Sequence, residues 1–290
     1  MSRRHMSRSF LCVLGALLGV ALPAAGSSPV ADAPAKAGVY APITARAEAM
    51  VTVTFVLRIK IEGGGDREVE SEVDCLMIAA DGLVLCSNTE MGGYVSLLGR
   101  MIGGGRLSAS GSPSEIKVMV AGEAEGTPAR LMTRDTERDL AWLLIEPPAE
   151  DTAPRSYPFL DLEQGTTRLE PGDRFYVLRR MHRFFGRAAV VVEATVGAVI
   201  DKPRRLVVPA ETLQLGFGLP VFDARGALAG VTVMQTPTAE EAQNLMANPM
   251  SFLGSAAKVG DMVGGLVLPV AELTKATALA RELIAEDEAQ

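Results

Sequence analysis

The feature of this sequence that most constrains its fold is a series of short segments in which every second residue is apolar. In the first of them, at 50–61, apolar residues such as Val53 and Phe55 alternate with polar ones such as Thr52 and Lys60. A period of two residues is typical of a strand with one buried face and one exposed face. The 29 glycines and 17 prolines are spread along the chain, where they suit turns between strands. The sequence therefore predicts a protein built mainly from short β-strands.

Two groups of about six strands follow from this pattern, and a connector near 147–158 separates them. The first group is predicted at 50–61, 73–78, 83–86, 116–120, 129–132 and 140–145. The second group is predicted at 174–178, 188–200, 205–208, 220–222, 228–234 and 266–270. The Ala-, Leu- and Glu-rich segment 271–286 is predicted to be a terminal helix. This arrangement is typical of a pair of β-barrels, although periodicity alone also allows a large sandwich.

The N-terminal residues have the pattern of an export signal. Arginines at positions 3, 4 and 8 precede an apolar stretch at 10–22, and small residues follow at 24–28. The apolar stretch is shorter than the ~20 residues that a membrane-spanning helix needs. We therefore predict a cleaved signal peptide at 1–26, no stable membrane span, and a periplasmic or secreted protein. An uncleaved anchor is the alternative.

The rest of the chain divides into a linker and two barrel domains. The Ala-, Pro- and Ser-rich segment 27–45 has no hydrophobic period and is predicted to be a linker. The N-terminal barrel is assigned to 46–150, and the C-terminal barrel with the terminal helix to 151–290. The longest irregular segments, 91–114 and 236–264, are predicted to be surface loops suited to recognition.

Composition and charge exclude several classes of function. A net charge of -7 and a pI near 5.1 argue against a general nucleic-acid binder, which is usually basic. After export the chain would keep two cysteines, Cys75 and Cys86, and one histidine, His182. A zinc site usually needs several such ligands, and no phosphate-binding glycine loop occurs. We therefore expect no metal, no cofactor and no nucleic acid, and a partner that is another protein.

Three segments carry the most specific signal of the chain. Segment 78–89 has two apolar strands joined by an Asp-Gly turn, and it ends on Ser87-Asn88-Thr89. Segment 134–145 contains Asp139-Leu140-Ala141 before an apolar strand. Segment 215–226 reads Leu215-Gly216-Phe217-Gly218-Leu219-Pro220 and continues into a strand and a turn.

In their order and spacing these segments resemble the HtrA (Deg) family of trypsin-like serine proteases, over about residues 50–285. The segments around Gly172-Asp173 and at 265–270 are also similar to that family. The resemblance implies an all-β chymotrypsin-type fold with two six-stranded barrels and a C-terminal helix. We expect no PDZ domain, because the chain ends after the predicted helix.

The departures from the family pattern fall on the catalytic positions. The triad needs a hydroxyl nucleophile, an imidazole base and a carboxylate that orients the imidazole. The resemblance places Thr89 at the histidine, Asp139 at the aspartate and Phe217 at the serine. It places Leu215 at the first glycine of the oxyanion hole, where a branched side chain disfavours a positive φ. The triad is therefore degenerate, and no catalytic residue is assigned.

Other residues are weaker candidates for catalysis. Ser87 has no histidine partner in its motif, Cys86 is not at the serine position, and His182 lies outside all three segments. We expect Asp139 to cap the start of a strand. Phe217 either plugs the nucleophile position or packs as an ordinary side chain.

The spacing of the two remaining cysteines predicts a disulfide. If the hairpin turn centres between Ala80 and Asp81, Cys75 and Cys86 lie directly opposite each other on adjacent strands. An oxidising compartment would favour a bond between them, and two reduced, buried cysteines are the alternative.

These observations predict an exported, non-catalytic pseudoprotease that acts as a protein-binding or structural component. An active trypsin-like serine endopeptidase with an atypical site is the alternative. Recognition is expected through the two long loops rather than through the old cleft beside 228–234. Four arginines around Phe184 and Phe185 could bind an acidic partner or an anionic head group, or form a solvated turn.

Overall fold

The computed structural model describes residues 33–61, 65–95, 109–120, 125–146, 155–165, 168–202, 204–213, 215–235 and 265–288. Helix α1 (Ala33–Ala45) and a 3-10 turn (Arg46–Ala49) come first. The first group of strands is β1 (Met50–Ile61), β2 (Arg67–Met77), β3 (Leu83–Ser87), β4 (Ala109–Met119), β5 (Thr127–Asp135) and β6 (Leu140–Ile145). The second is β7 (Arg174–Arg180), β8 (Ala189–Ile200), β9 (Leu206–Pro209), β10 (Pro220–Asp223), β11 (Leu228–Met234) and β12 (Gly265–Pro269). Helix α2 (Val270–Glu288) follows β12 directly.

The strands form two closed antiparallel barrels. Neighbouring strands run in the order β1-β2-β3-β6-β5-β4 in the first barrel and β10-β11-β12-β9-β8-β7 in the second. Closure pairs each strand with a neighbour on both sides, over all or part of its length. The all-β fold of two six-stranded barrels with a C-terminal helix, predicted from the sequence, is confirmed.

Strands β3 and β6 are the part of the first barrel that faces the second. On β3, Val84 points into the core of the first barrel, and Leu85 points into the core shared with the second barrel. On β6, Leu143 points into the core of the first barrel, and Trp142 points into the shared core. The indole N–H of Trp142 donates to Thr277 Oγ1 on α2 at 3.3 Å. The period of two residues thus gives each face of these strands its own core, so β3 is buried throughout and β6 is buried except at the half-buried Leu144.

Two local predictions differ from the structure. The linker predicted at 27–45 is helical over Ala33–Ala45, because its residues pack on the second barrel. Ile43 is completely buried, and the ring of Tyr40 meets that of Tyr176 edge-to-face at 5.7 Å. Residues three apart share one helix face, and tertiary packing of such a face stabilises a helix of modest propensity. Strand β4 begins inside the loop predicted at 91–114, because its small, polar residues from Ala109 onward pair with β1.

Candidate functional site

The three positions that the resemblance aligns with a triad lie together at the seam between the barrels. Asp139 directly precedes β6, and Thr89 follows the end of β3. The main-chain N–H of Thr89 donates to Asp139 Oδ1 at 2.6 Å. Phe217 lies in the loop before β10, and its neighbour Gly218 lies against the end of β3. A Cβ on Gly218 would be 2.9 Å from the main-chain nitrogen of Ser87.

The carboxylate of Asp139 joins the two barrels. It belongs to a residue that is 2% exposed, with a left-handed backbone at φ 60°. Its Oδ2 accepts hydrogen bonds from the Ser87 hydroxyl at 2.9 Å and from the Met234 main-chain N–H at 2.9 Å. Ser87 and Thr89 belong to the first barrel, whereas Met234 ends β11 of the second. Asp139 therefore does more than cap a strand, because its carboxylate satisfies donors on both sides of the seam.

The environment of Asp139 opposes its negative charge. Burial raises the pKa of the Asp139 carboxyl above its ordinary value, and the N–H groups of Met234 and Thr89 partly counter that rise. Desolvation disfavours the ionised form of a carboxyl, whereas hydrogen bonds donated to it favour that form. These three donors and the Thr89 hydroxyl are all uncharged, so hydrogen bonds from neutral groups compensate the buried carboxylate.

Ser87 carries a hydroxyl that contacts this carboxyl, and that hydroxyl has a structural role. Its side chain is fully buried. The hydroxyl donates to Asp139 and accepts from the main-chain N–H of Glu90 at 3.2 Å. A nucleophile must reach a substrate carbonyl carbon, and a hydroxyl enclosed in the protein cannot do so.

The loop that carries Phe217 keeps the left-handed glycines typical of a tight turn. Gly216 has φ 95° and Gly218 has φ 77°, whereas Leu215 is not among the residues with a positive φ. Thr232 of β11 holds this loop in place, because its hydroxyl donates to the Gly216 carbonyl at 3.2 Å. The N–H of Gly218 donates to the Thr232 carbonyl at 2.7 Å. The loop is therefore held in a defined conformation without a nucleophile at its centre.

Glu90 is a site residue that the sequence analysis did not single out. Its Oε1 accepts a hydrogen bond from the main-chain N–H of Phe217, with an N···O distance of 3.4 Å. Burial raises the pKa of the Glu90 carboxyl, the Phe217 N–H lowers it, and the carboxyls of Asp139 and Asp74 raise it further. Its position directly after Thr89 was the one sequence signal that could have indicated a place in the site, but a single acidic residue in a loop does not predict a functional role.

The chemistry open to this arrangement is narrow. Thr89 is buried, and its hydroxyl lies 3.8 Å from the sulfur of Met234. A threonine hydroxyl cannot act as a base near neutral pH, and the phenyl ring of Phe217 offers no nucleophile. The carboxyl of Asp139 is the remaining acid–base group at the aligned positions, and neutral donors occupy it.

The predicted disulfide is confirmed. Cys75 and Cys86 are bonded, with their Cα atoms 4.6 Å apart. The pairing of β2 with β3 matches Leu76 with Leu85, which places the two cysteines directly opposite each other. The bond therefore braces the hairpin at the end of which Ser87 and the site begin.

The basic cluster near Phe184 is used in part inside the protein. Arg187 donates to Thr52 Oγ1 at 2.6 Å and pairs with Glu72 at 2.7 Å. Arg180 donates to two main-chain carbonyls. His182 is exposed, and its Nδ1 accepts from the Phe184 N–H at 3.2 Å, so it caps a short turn. The cluster therefore offers less free positive charge than the sequence predicts.

Neither a metal-binding cluster nor a membrane-spanning helix is found in the described ranges, from 33–61 to 265–288 with the gaps given above. No group of three or more His, Cys, Asp or Glu side chains there could hold a metal ion. No helix in the same ranges is both long enough and apolar enough to cross a membrane.

No protein-family model matches this sequence, and no curated protein matches it. Among solved structures, the chain is similar to the MamO protease domain from Magnetospirillum magneticum in its apo form. That match has 17% identity and a TM-score of 0.47, and it covers 81% of this chain and 97% of that one. The chain is also similar to the HtrA-type protease AlgW with a tripeptide, at 18% identity, a TM-score of 0.48 and 84% coverage of this chain. A variant of AlgW matches at 16% identity, a TM-score of 0.49 and 81% coverage. Both matches cover 61% of the AlgW chain, or about three-fifths of its length.

The strand order itself, with two closed six-stranded barrels and a following helix, shows that this chain has the trypsin-like double-barrel fold that the HtrA resemblance implied.

Proposed function

We propose that this protein is an exported, non-catalytic relative of the trypsin-like proteases that acts as a protein-binding or structural component. The observation that carries the proposal is the set of hydrogen bonds that the Asp139 carboxylate accepts. Its carboxylate accepts from Ser87, Thr89 and Met234. In the triad this carboxylate would orient an imidazole. Here it joins the barrels instead, so its structural role remains while its catalytic role is lost.

An active enzyme with an atypical site has little support from this geometry. The hydroxyls of Ser87 and Thr89 contact the Asp139 carboxyl, and all three residues are buried. The N–H of Phe217 lies against the Glu90 carboxyl. The resemblance aligns Phe217 with the serine, whose main-chain N–H is one donor of the oxyanion hole in the triad template. A carboxyl oxygen that accepts this N–H occupies the donor that an oxyanion would need.

The disulfide supports the export part of the proposal. Disulfides persist in oxidising compartments and are rare in the reducing cytosol. The Cys75–Cys86 bond is therefore compatible with the signal peptide proposed at 1–26, followed by a periplasmic or secreted location.

We propose recognition of a protein partner through the loops rather than through the former cleft. Strand β11 pairs with β10 between Leu228 and Val231 and with β12 from Gly230 to Met234. Beyond the β10 pairing, the N–H groups of Thr232 and Met234 donate to the Leu219 carbonyl and to Asp139, which leaves little free edge for a peptide. Edge pairing is the usual way in which a sheet captures an extended peptide. Of the two long loops, 91–114 lies partly and 236–264 wholly outside the described residues. The argument for their role in recognition is therefore their length.

A hydrolysis assay tests the proposal. The mature protein is incubated with unfolded casein, beside an active HtrA-type protease domain as the positive control. We expect no turnover above that of buffer. Turnover by the unmodified chain that disappears in a Ser87→Ala variant would overturn the non-catalytic proposal in favour of an atypical enzyme.

A second assay tests the route of recognition. A pull-down from the envelope of the source organism compares the unmodified protein, a deletion of 240–258 and a Phe217→Ala variant. Recognition through the loops predicts that the deletion loses the captured partner and the Phe217→Ala variant keeps it. The reverse result would place recognition in the cleft.

A further inference from the structure

Strand β2 extends well beyond the strand that pairs with it on one side. It pairs with β1 from Arg67 to Leu76, but with β3 only at Leu76 and Met77. No other strand of the described ranges pairs with β2, so the side of 67–73 that faces away from β1 is a free edge among the described residues. Seven residues at about 3.3 Å each make this edge about 23 Å long, which is the length of an ordinary strand.

The main-chain groups at this edge belong to the even-numbered residues. The N–H of Ile78 donates to the Leu83 carbonyl at 2.9 Å, so Ile78 directs its hydrogen-bonding groups to the side of β3. Main-chain groups point alternately to the two sides of a strand, and the register of β2 with β1 has no shift over this length. Glu68, Glu70 and Glu72 therefore direct their N–H and C=O groups to the free side. Unpaired groups of this kind are the template on which an extended peptide adds a strand.

The side chains on the outer face of this edge are acidic. Glu68, Glu70 and Glu72 share that face, because side chains alternate between the two faces of a strand. Glu68 pairs with Arg58 on β1 at 2.9 Å, and both side chains are more than half exposed. Glu72 pairs with Arg187, whereas Glu70 has no ion-pair partner among the described residues. Opposite charges on neighbouring strands attract and like charges repel, so this face favours a strand that carries lysine or arginine.

A groove beside these carboxylates has room for long basic side chains. It has a volume of about 400 Å³ and opens next to Glu70 and Glu72 on the outer face of the sheet. Glu115 of β4 adds a third carboxylate to its lining, and Lys117 and Arg183 add two cations. Lys117 is on β4, two strands away from the free edge of β2, or about 9.5 Å at the ordinary strand spacing. The carboxylates on β2 are therefore the charges nearest to a strand that adds to this edge.

The opposite face of the same edge carries small and apolar side chains. Val69, Ser71 and Val73 alternate with the glutamates. Val73 is 8% exposed, whereas Val69 is 46% exposed. An added strand covers Val69 with the side chains that alternate with its basic ones, and burial of apolar surface stabilises that contact. The edge is therefore suited to a segment in which basic and apolar residues alternate.

We propose that the free edge of β2, at 67–73, binds an extended segment of a partner protein in which lysine or arginine alternates with apolar residues. The segment adds a strand to β2 and pairs with the main-chain groups of Glu68, Glu70 and Glu72. Arg67 lies about 26 Å along the strand from Cys75, beside which the former catalytic site begins, so the edge leads away from that site. The proposal rests on the protein-binding role proposed above and assigns part of that role to a strand rather than to a loop.

Two other assignments fit the structure less well. A second copy of β2 would place acidic residues opposite acidic ones, because residues paired across two strands share a face of the sheet. Strand β4 pairs with β5 only at Lys117 and Val118, so its side away from β1 is also free at 109–116 among the described residues. Pro113 lies in that part of β4 and has no N–H to donate. The edge of β2 is therefore the better template, and a basic strand is its better occupant.

Amide exchange with a designed peptide tests the strand addition. The probe is a blocked seven-residue peptide of alternating lysine and valine, added to the mature protein with its disulfide intact. At saturation, we expect hydrogen–deuterium exchange of the Glu68, Glu70 and Glu72 amides to slow by about tenfold or more. A peptide with proline in place of each valine keeps the charge but cannot pair as a strand, so it should give no protection.

Charge reversal tests the specificity of the edge. Glu70→Lys should weaken binding of the lysine–valine peptide by about tenfold, because attraction to the neighbouring lysines becomes repulsion. Glu282→Lys on α2 is the matched control, since it makes the same change of net charge at another exposed glutamate and should leave binding unchanged. A glutamate–valine peptide should show the reverse preference and bind Glu70→Lys more tightly than the unmodified protein.

The outcomes separate the parts of the proposal. Binding without slower exchange of the three amides, or equal protection by the proline peptide, would overturn the strand addition. Equal affinity of Glu70→Lys and Glu282→Lys for the lysine–valine peptide would overturn the charge assignment, and no binding would overturn both. Self-association that protects the same amides without peptide would assign the edge to a second copy instead. Casein turnover is a separate readout, so a failure of the non-catalytic function and a failure of the edge assignment are distinguishable.

Discussion

Replacing Asp139 by Asn isolates what the retained carboxylate does. Asn tolerates the left-handed backbone of this position as well as Asp does, so the change alters hydrogen bonding and charge with little added strain. An amide keeps one acceptor oxygen and gains two donors. If that oxygen serves Ser87 and Met234, as Oδ2 does, the new NH2 group faces the N–H of Thr89. One buried N–H then loses its acceptor, which costs about 1–3 kcal/mol of unfolding free energy.

The pH dependence of this loss has a definite sign. Burial raises the pKa of Asp139 above 3.8, so the folded protein binds a proton at this carboxyl more tightly than the unfolded chain does. The unmodified protein therefore gains stability at this site as the pH falls through the folded pKa toward 3.8. Asn does not titrate, so the deficit of Asp139→Asn should be larger at pH 5 than at pH 8.

Urea denaturation of the oxidised protein measures both effects. Trp142 is the single tryptophan of the chain and is 2% exposed, so its fluorescence reports loss of the core shared by the barrels. An Asp139→Asn variant within about 0.5 kcal/mol of the unmodified protein at pH 7, the range typical of inert substitutions, would refute the seam role. A deficit that shrinks toward pH 5 would refute the reasoning about charge.

Two further variants test the geometry of the site. Removing the disulfide with Cys75→Ala and Cys86→Ala together should cost roughly 3 kcal/mol in urea denaturation, whereas a loss under ~1 kcal/mol would show that the bond does little for stability. Gly218→Ala should destabilise the protein by more than the ~1–2 kcal/mol cost of a left-handed alanine, because its Cβ would meet the Ser87 nitrogen at 2.9 Å. Gly172→Ala is the control, with φ 91° and open space around it, and equal losses for the two variants would contradict the close approach of loop and strand.

The strands and the disulfide were predictable from local patterns. The alternation in β1 has a period that only a half-buried strand explains, and the turn at Asp81-Gly82 sets the register that puts Cys75 opposite Cys86. Both signals lie within short segments of the chain, where side-chain period and turn chemistry are strong.

The contacts across the seam could not be predicted in the same way. Asp139 and Met234 are 95 residues apart, and no local pattern indicates that the Met234 N–H needs an acceptor. Glu90 is an ordinary acidic residue until the Phe217 loop packs beside it. Helix α1 was also missed, because packing of Ile43 on the second barrel, rather than a clear hydrophobic period, stabilises it.

The degenerate triad positions are a prediction from the resemblance, and their consequence depends on the fold. Residue types at 89 and 217 exclude an imidazole and a hydroxyl nucleophile there, but they do not exclude a replacement elsewhere. Ser87 is the nearest candidate for a replacement nucleophile, and its burial argues against that role. This burial depends on the pairing of the end of β3 with the start of β6, which the sequence alone does not show.

The central claim, that this double barrel holds no activated nucleophile, is tested most directly by a fluorophosphonate probe. The probe bonds covalently to a serine whose hydroxyl is activated by a neighbouring base, and intact mass then counts the molecules bound per chain. The account predicts that the mature protein keeps its unmodified mass after prolonged incubation, while an active trypsin-like protease in the same vessel gains one probe. Stoichiometric labelling of the folded chain at a serine, lost after unfolding, would contradict it.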